Sequence, residues 1–361
     1  MSEDKLKNLL RLMENKKLDA LFISSASNIS YLTNFTNFSK DEREAYLLIG
    51  NNFQYIITDG RYSESVAKKV SEFTLFERSQ NQKISDLFKK LEIKILGIEE
   101  DNLTVLEYRG IKKHFKKLKH FEAGNLRSIK SREEINKLKK ACMIGDKAFK
   151  YILGKIKAGI TEKEIAFQIE NFVKKQKTEL AFPSIVAFGK NASVPHHQTG
   201  ETKLDKKSGQ FVLLDFGVKF DGYCSDMSRT IFFGNPTDKQ KEIYAAVKDA
   251  QTKASEFLAK RIKSQKRILA EEVDRVAREY IISKNYPSIP HSLGHGIGLD
   301  VHERPYLSLK SKEELREGMV FSIEPGIYIP NFGGVRIEDI YAIEDGELRQ
   351  ITNAAKDLVI I

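Results

Sequence analysis

Four carboxylates stand inside or beside apolar, strand-like segments in the last 150 positions of this chain. Asp215 lies near the end of the run FVLLDF, and Asp226 follows 11 residues later, beyond a turn that contains Asp and Gly. Glu324 and Glu338 repeat the arrangement in VFSIE and VRIEDIYAI, 14 residues apart. Because an ionised carboxylate is very costly to bury without a cation or hydrogen-bond donors, a fold that buries these segments must supply such partners.

The spacing of these acids predicts two β-hairpins, each with one acid on each strand. Together the hairpins would bring four like charges into one pocket, which is favourable only if cations neutralise them. Two divalent ions would supply that charge, and His295, in the Gly-rich run HSLGHGIGLDVHE, would add an imidazole ligand. Oxygen-rich sites with one imidazole suit Mn, Co or Fe, with Zn as an alternative.

Each of these features has a simpler explanation when it is taken alone. A single acid is usually a surface residue, and His295 by itself could be a hydrogen-bonded core histidine. The glycines around His295 lack the strand-then-helix context of a dinucleotide-binding loop. The run HERPY is not the HExxH helix of a zinc peptidase, because Tyr306 takes the place of the second histidine. The joint pattern therefore carries the prediction of a two-metal hydrolase site.

The order Asp, Asp, His, Glu, Glu with these flanks resembles the metallopeptidases of the pita-bread fold, which include methionine aminopeptidase, aminopeptidase P and prolidase. The resemblance is strong over residues 130–361. In addition, NISYLTNF and TDGRY are similar to the creatinase-like N-terminal domain of the Xaa-Pro peptidases. The resemblance implies an α/β (α+β) fold, with a creatinase-like α/β domain at 1–125. The catalytic domain would occupy 126–361, with a curved, mostly antiparallel sheet covered by helices.

The resemblance also implies a role for each metal ligand. Asp215 would chelate one metal ion, and Asp226 and Glu338 would bridge both ions. His295 and Glu324 would hold the second ion. A hydroxide between two Mn²⁺ ions (Co²⁺, Fe²⁺ or Zn²⁺ as alternatives) would attack the peptide bond, with Glu324 as the proton shuttle.

Further residues match positions around the metals in the family. His196 in VPHHQTG and His302 in GLDVHE would stabilise the substrate carbonyl or the tetrahedral intermediate. The neighbouring His197 competes with His196 for this role. His291 and Arg336 match residues that line the pocket or hydrogen-bond the ligands.

The implied substrate is a peptide with proline at its second position, and the implied assembly is a homodimer. Dipeptide-specific and longer-peptide enzymes share the same site residues, so both remain open. Two other kinds of protein also share the fold: a binding module that has lost its metal ligands, and a creatinase-like amidinohydrolase. The complete ligand set argues against both.

Length and composition agree with a two-domain enzyme. The chain has 361 residues, 41% of them hydrophobic, and a net charge of +10. Its lysines are widely spread and no recognition motif accompanies them, so we expect a solvated surface and no nucleic-acid partner. No apolar run reaches the ~18 residues of a membrane span, so we expect no membrane partner. The two cysteines, Cys142 and Cys224, are read as reduced thiols of a cytoplasmic protein.

Local patterns predict several elements. AYLLI (45–49) and QYIIT (54–58) indicate a hairpin, and Val105–Leu118 is expected to be a basic helix. Three helices after residue 130 begin with capping-box pairs, which are Ser131 with Glu134, Thr161 with Glu164, and Thr237 with Gln240. Helices followed by a strand hairpin, occurring twice, would give a pseudo-symmetric catalytic domain.

Overall fold

The chain divides into two compact units, Met1–Arg127 and Ser128–Ile361. The computed structural model describes residues 3–205 and 209–361. Each unit has two apolar clusters of its own. Within the described residues, no helix is both long enough and apolar enough to cross a membrane.

The first unit is built around a six-stranded mixed sheet. In chain order its elements are α1 (Glu3–Asn15), β1 (Ala20–Ile23), α2 (Ala26–Thr33), β2 (Tyr46–Gly50), β3 (Gln54–Asp59), α3 (Ser63–Lys69), β4 (Thr74–Arg78), α4 (Ile84–Lys90), β5 (Ile95–Ile98), α5 (Val105–Lys112) and β6 (Lys117–His120). The strand order is β4-β3-β2-β1-β5-β6, with β2 antiparallel to both neighbours and the other pairs parallel. Successive residues of β1 point to opposite faces of the sheet, so Leu21 joins one apolar cluster and Phe22 the other.

Two predictions for this unit have different outcomes. The hairpin over 45–49 and 54–58 is confirmed, because β2 and β3 pair antiparallel. The helix predicted over Val105–Leu118 is wrong beyond Lys112, where α5 ends, and residues from Lys117 form the edge strand β6. Pairing with β5 satisfies the backbone groups along one side of β6, which outweighs the helix propensity of the lysines.

Four helices cover the second unit. They are α6 (Arg132–Leu153), α7 (Glu162–Lys175), α8 (Asp238–Lys263) and α9 (Ala270–Ser283). The three capping boxes predicted from the sequence are confirmed at the starts of α6, α7 and α8. Helices α6 and α7 pack on one apolar cluster of the unit, and α8 and α9 on the other.

The strands of the second unit follow these helix pairs in two groups. The first group contains β7 (Glu179–Leu180), β8 (Ile185–Phe188), β9 (Gln210–Phe216), β10 (Val218–Phe220), β11 (Tyr223–Cys224) and β12 (Met227–Phe233). The second contains β13 (Gly294–Gly296), β14 (Glu303–Leu307), β15 (Val320–Ile323), β16 (Gly326–Ile329), β17 (Gly333–Arg336), β18 (Asp339–Glu344) and β19 (Glu347–Gln350). Every pair of these strands is antiparallel in the part of the chain that the structure describes. The twofold repetition of helices and strands is therefore confirmed.

Candidate metal centre

The four acids lie where two nested hairpins change from an outer to an inner strand pair. In the first, β9 and β12 pair on the outside and β10 and β11 on the inside. Asp215 lies in β9 opposite Ser228, and Asp226 immediately precedes β12. In the second, β15 pairs with β18 and β16 with β17. Glu324 directly follows β15, and Glu338 directly precedes β18.

The prediction of two simple hairpins with one acid on each strand is therefore wrong in detail. Only Asp215 lies inside a regular strand, and the other three acids stand at strand ends. The register that pairs Ile323 with Asp339 places Glu324 beside Glu338. At strand ends the acids face a cavity, whereas inside an apolar strand they would be closely packed against other side chains.

His295 enters the same space from β13, whose register shifts immediately after it. Its Nε2 lies 3.2 Å from Glu324 Oε1 and 3.8 Å from Asp226 Oδ2. The glycines on either side have a packing reason. A Cβ on Gly294 would lie 2.0 Å from the carbonyl oxygen of Ser322, and one on Gly296 would lie 2.1 Å from that of Arg304. The sequence GHG thus allows neighbouring backbone to approach β13 closely.

The five side chains fit a site for divalent cations. Ligand atoms of Asp215, Asp226 and Glu338 lie within 4.8 Å of one another, and so do those of His295, Glu324 and Glu338. Asp215 Oδ1, Asp226 Oδ1 and Glu338 Oε1 are buried without a hydrogen-bond partner in the described part of the chain. Buried oxygens of this kind need cations, and carboxylate oxygens with one imidazole are suitable ligands for divalent metals.

The pKa values of the acids reflect their burial and the closeness of their negative charges. Burial, together with the charges of Glu338 and Asp215, raises the pKa of Asp226 well above its ordinary value. Burial and the charge of Glu324 likewise raise the pKa of Glu338. Burial also disfavours ionised Glu324, but its hydrogen bond with His295 and the histidine's charge outweigh this and lower its pKa to about 2.

Arg336 holds one side of the centre through its buried guanidinium. Its Nη2 donates to Asp215 Oδ2 at 2.6 Å, and its Nε donates to Ser228 Oγ at 2.7 Å. Ser228 Oγ in turn donates to Glu338 Oε2 at 3.0 Å. The Arg336 Nη1 donates to the hydroxyl oxygen of Tyr328 at 2.9 Å.

Tyr328 continues this chain of hydrogen bonds to His291, whose tautomer is set by a backbone carbonyl. His291 Nδ1 lies 2.8 Å from the carbonyl oxygen of Ser292, which can only accept, so Nδ1 carries the proton. Nε2 then accepts from the Tyr328 hydroxyl at 2.9 Å. Burial lowers the pKa of His291, which agrees with this neutral form.

The two histidines predicted to contact substrate also reach the centre. His302 packs edge-on against His295 with a ring-centroid distance of 4.2 Å. Burial and the neighbouring His295 lower the pKa of His302. His196 lines the same cavity, whereas His197 Nε2 lies 2.9 Å from Glu162 Oε2.

All nine predicted site residues line one cavity of about 610 Å³. They are Asp215, Asp226, His295, Glu324, Glu338, His196, His302, His291 and Arg336. Apolar and aromatic side chains complete the wall, among them Phe182, Ile185, Val301 and Tyr306. The cavity therefore combines a group of acids suited to divalent cations with an apolar surface, as small-molecule sites commonly do.

Comparisons with known proteins agree with this geometry. A model of metallopeptidase family M24 matches residues 136–345. The chain belongs to this family. A model of the creatinase/prolidase N-terminal domain matches residues 5–129. The predicted resemblance to pita-bread Xaa-Pro peptidases and the predicted fold are thereby confirmed.

The similarity to individual family members extends over almost the whole chain. An Xaa-Pro dipeptidase of Pyrococcus horikoshii is 35% identical over 364 residues, which cover 99% of both chains. The solved structure of an Xaa-Pro dipeptidase from Bacillus anthracis is 34% identical, with a TM-score of 0.89 and 99% of both chains covered. The structure of an X-Pro aminopeptidase from Thermotoga maritima is 31% identical, with a TM-score of 0.84 and coverage of 99% of this chain and 100% of that one. The chain is thus a metallopeptidase dependent on divalent metal ions, and the alternative of a ligand-free binding module is set aside.

Tyr328 and Glu162 are two of the residues around the centre that were not predicted from the sequence. Tyr328 stands in GIYIP, where an aromatic residue within a strand is ordinary and carries no chemical signal. Glu162 follows the capping residue of α7, where an acid is usual for helix stability and solvent exposure is expected. Only the folded chain shows that both side chains are buried beside the site.

Proposed function

We propose that this metallopeptidase is an Xaa-Pro peptidase, which hydrolyses the bond between an N-terminal residue and a penultimate proline. The observation that carries the proposal is the full-length similarity to an Xaa-Pro dipeptidase and an X-Pro aminopeptidase. Proline nitrogen has no N–H, so a site for this bond cannot depend on that donor. Apolar side chains of the cavity, such as Phe182 and Ile185, offer a surface suited to the pyrrolidine ring.

Two divalent ions, Mn²⁺ in the first place, would be held by Asp215, Asp226, His295, Glu324 and Glu338. The three buried oxygens without partners support this ligand set. When bound, such ions polarise the scissile carbonyl and lower the pKa of water. Repulsion among the acids favours their protonated forms. Bound cations would offset this repulsion and so keep the acids ionised.

Glu324 is the proposed proton carrier of the reaction. Bound cations would favour its ionised form, as His295 does in the metal-free centre, so it could accept a proton from the attacking water. The same carboxyl would then donate the proton to the proline nitrogen as the C–N bond breaks. A leaving secondary amine needs this proton, because an amide anion is a very poor leaving group.

His196 and His302 are the proposed donors to the substrate carbonyl. Both line the cavity, and ligand atoms of His302, His295 and Asp226 lie within 4.8 Å of one another. A neutral imidazole donates one N–H, which would stabilise the negative charge that develops on the carbonyl oxygen. Tyr328 and Arg336 would keep His291 and Asp215 oriented through the hydrogen bonds described above.

Peptide hydrolysis by metal-stripped protein, with and without added Mn²⁺, tests this proposal. We expect metal-dependent cleavage of Ala-Pro, of Ala-Pro-Ala, or of both. Cleavage of the dipeptide alone would identify a dipeptidase, and cleavage of the tripeptide an aminopeptidase.

Ala-Ala and Ala-Ala-Ala are the matched control substrates, because they differ only in the ring and the N–H. Preference for them over the proline peptides would contradict the assignment. So would the absence of any Xaa-Pro cleavage when metal is demonstrably bound.

A further inference from the structure

Glu162 is a buried carboxylate that the reaction described above does not use. It is the first residue of α7, and its side chain is 0% exposed. Its position beside the cap Thr161 puts the carboxylate at a helix N-terminus, where the helix dipole stabilises a negative charge. The cost of burying the charge must still be met by hydrogen bonds.

Four donors surround this carboxylate, two on each oxygen. Oε1 accepts from the backbone N–H of Phe188 at 2.8 Å and from Asn191 Nδ2 at 2.8 Å. Oε2 accepts from the backbone N–H of Gly200 at 2.9 Å, and His197 Nε2 lies 2.9 Å from it. Because an ionised carboxylate can only accept, His197 Nε2 is the protonated nitrogen of its ring.

The four donors lie on both sides of His196 in the chain. Phe188 and Asn191 come before it, and His197 and Gly200 come after it. One carboxylate therefore bonds to both ends of the segment 188–200, which we call the histidine loop. A charged acceptor with several donors forms stronger and more directional bonds than a neutral one.

The histidine loop has a second anchor next to His196. The carbonyl oxygen of Pro195 accepts from Arg336 Nη1 at 3.2 Å. Adjacent histidines are thus directed to different places: His197 to Glu162, and His196 to the cavity that contains the metal-binding acids. The alternative arrangement, with His197 toward the acids, would break its contact with Glu162.

We propose that Glu162 is a positioning residue of the active site, which acts through His197 and the backbone of the histidine loop to direct His196 toward the substrate. This inference rests on the proposed role of His196 as a donor to the substrate carbonyl. Glu162 itself touches neither the cavity wall nor the metal-binding acids among the described contacts.

The test is a double-mutant cycle with Glu162→Gln, His196→Ala and the combined variant. The amide of the glutamine presents N–H groups to two donors, so the loop loses part of its anchor. We expect Glu162→Gln to lower kcat by about 10–100-fold, the range for residues that orient catalytic groups, with metal content unchanged. The combined variant should be no slower than His196→Ala alone, because Glu162 acts through His196.

Glu164→Gln is the matched control on the same helix turn. Glu164 is exposed and bonds to the backbone of Thr161, so its substitution should leave kcat unchanged. Additive losses in the cycle would overturn the proposal, since a purely structural defect adds to the loss of His196. Loss of bound metal in Glu162→Gln would overturn it as well.

Amide hydrogen exchange separates this inference from the proposed function, because it needs no substrate. Glu162→Gln should accelerate exchange at Phe188 and Gly200, whose N–H groups donate to the carboxylate, and unchanged exchange there would overturn the proposal. If the wild type cleaves another peptide and no Xaa-Pro bond, the proposed function fails, and the same cycle is run on that peptide. If Glu162→Gln does not fold, His197→Asn removes one donor and should give the same non-additivity with His196→Ala.

Discussion

Asp226 and Glu338 are the two carboxyls of the centre whose pKa values lie well above the ordinary value. In the metal-free protein they bind protons more tightly than they do in the unfolded chain. Stability therefore falls as pH rises from the ordinary carboxyl pKa of about 4 toward the raised values. Divalent ions remove this cost because they bind the ionised forms and displace the protons.

We accordingly expect Mn²⁺ to stabilise the protein more at about pH 7.5 than at about pH 5. The measurement is the difference in Tm with and without Mn²⁺ at each pH. Groups whose titration the metal does not affect change both Tm values equally, so their contribution cancels in the difference. Asp226→Asn should lose most of the increment at both pH values, and equal increments in the wild type would contradict the linkage.

The side chains that meet in the cavity could be predicted from single residues, whereas several residues that hydrogen-bond to them could not. Asp215 and Asp226 are informative because acids are rare in apolar strand segments. Tyr328 and Glu162 are typical of their local positions, and their roles depend on which distant side chains the fold brings near. Likewise, His196 and His197 are adjacent and competed for one role in the sequence analysis, whereas in the structure His196 lines the cavity and His197 contacts Glu162.

Among the elements, β14 is held by a buried ion pair close to the centre. Lys130 Nζ lies 2.7 Å from Glu303 Oε1, and their side chains are 2% and 3% exposed. Glu303 begins β14 and directly follows His302. A buried carboxylate that loses its cation keeps the full cost of desolvation.

Lys130→Met should therefore lower the free energy of unfolding by about 3–5 kcal/mol. An exposed pair of similar length provides the comparison. Lys163 Nζ and Glu201 Oε1 are 2.8 Å apart, with side chains 60% and 71% exposed. Lys163→Met should cost less than about 1 kcal/mol. Denaturant unfolding measures both values, and equal losses would show that burial does not govern the Lys130 pair.

Element boundaries were predicted best where local chemistry alone decides them. The capping boxes at Thr161 and Thr237 are local, and both mark observed helix starts. The end of α5 depends on pairing between β6 and β5, whose partner residues are more than 20 positions apart in the chain. The nested hairpins also depend on pairing between separate segments. Only the observed register shows that β10 and β11 pair inside the pair formed by β9 and β12.

For the molecule as a whole, every proposed metal ligand lies in the second unit. The first unit has separate apolar clusters on the two faces of its own sheet. Ligand binding stabilises the structure that holds the ligand, by about 2.7 kcal/mol at a concentration 100 times Kd. Metal should therefore stabilise the two units unequally.

Hydrogen exchange followed by mass spectrometry checks this expectation. Added Mn²⁺ should slow exchange in peptides that contain Asp226, His295 and Glu338, and leave the peptides of β1 and β2 unchanged. The Asp226→Asn variant is the control, and it should show little protection in either unit. Equal protection of β1 in the wild type would contradict the expectation.

The nested hairpins also have a consequence for biosynthesis. The proposed ligands come from both hairpins and from β13, so they span the chain from Asp215 to Glu338. A residue beyond them also bonds to β12, because the Phe232 N–H donates to the carbonyl of Val359. A nascent chain still short of Glu338 lacks a ligand, and one short of Val359 lacks a bond to β12. The complete set of proposed ligands can therefore assemble only after Glu338 has been synthesised.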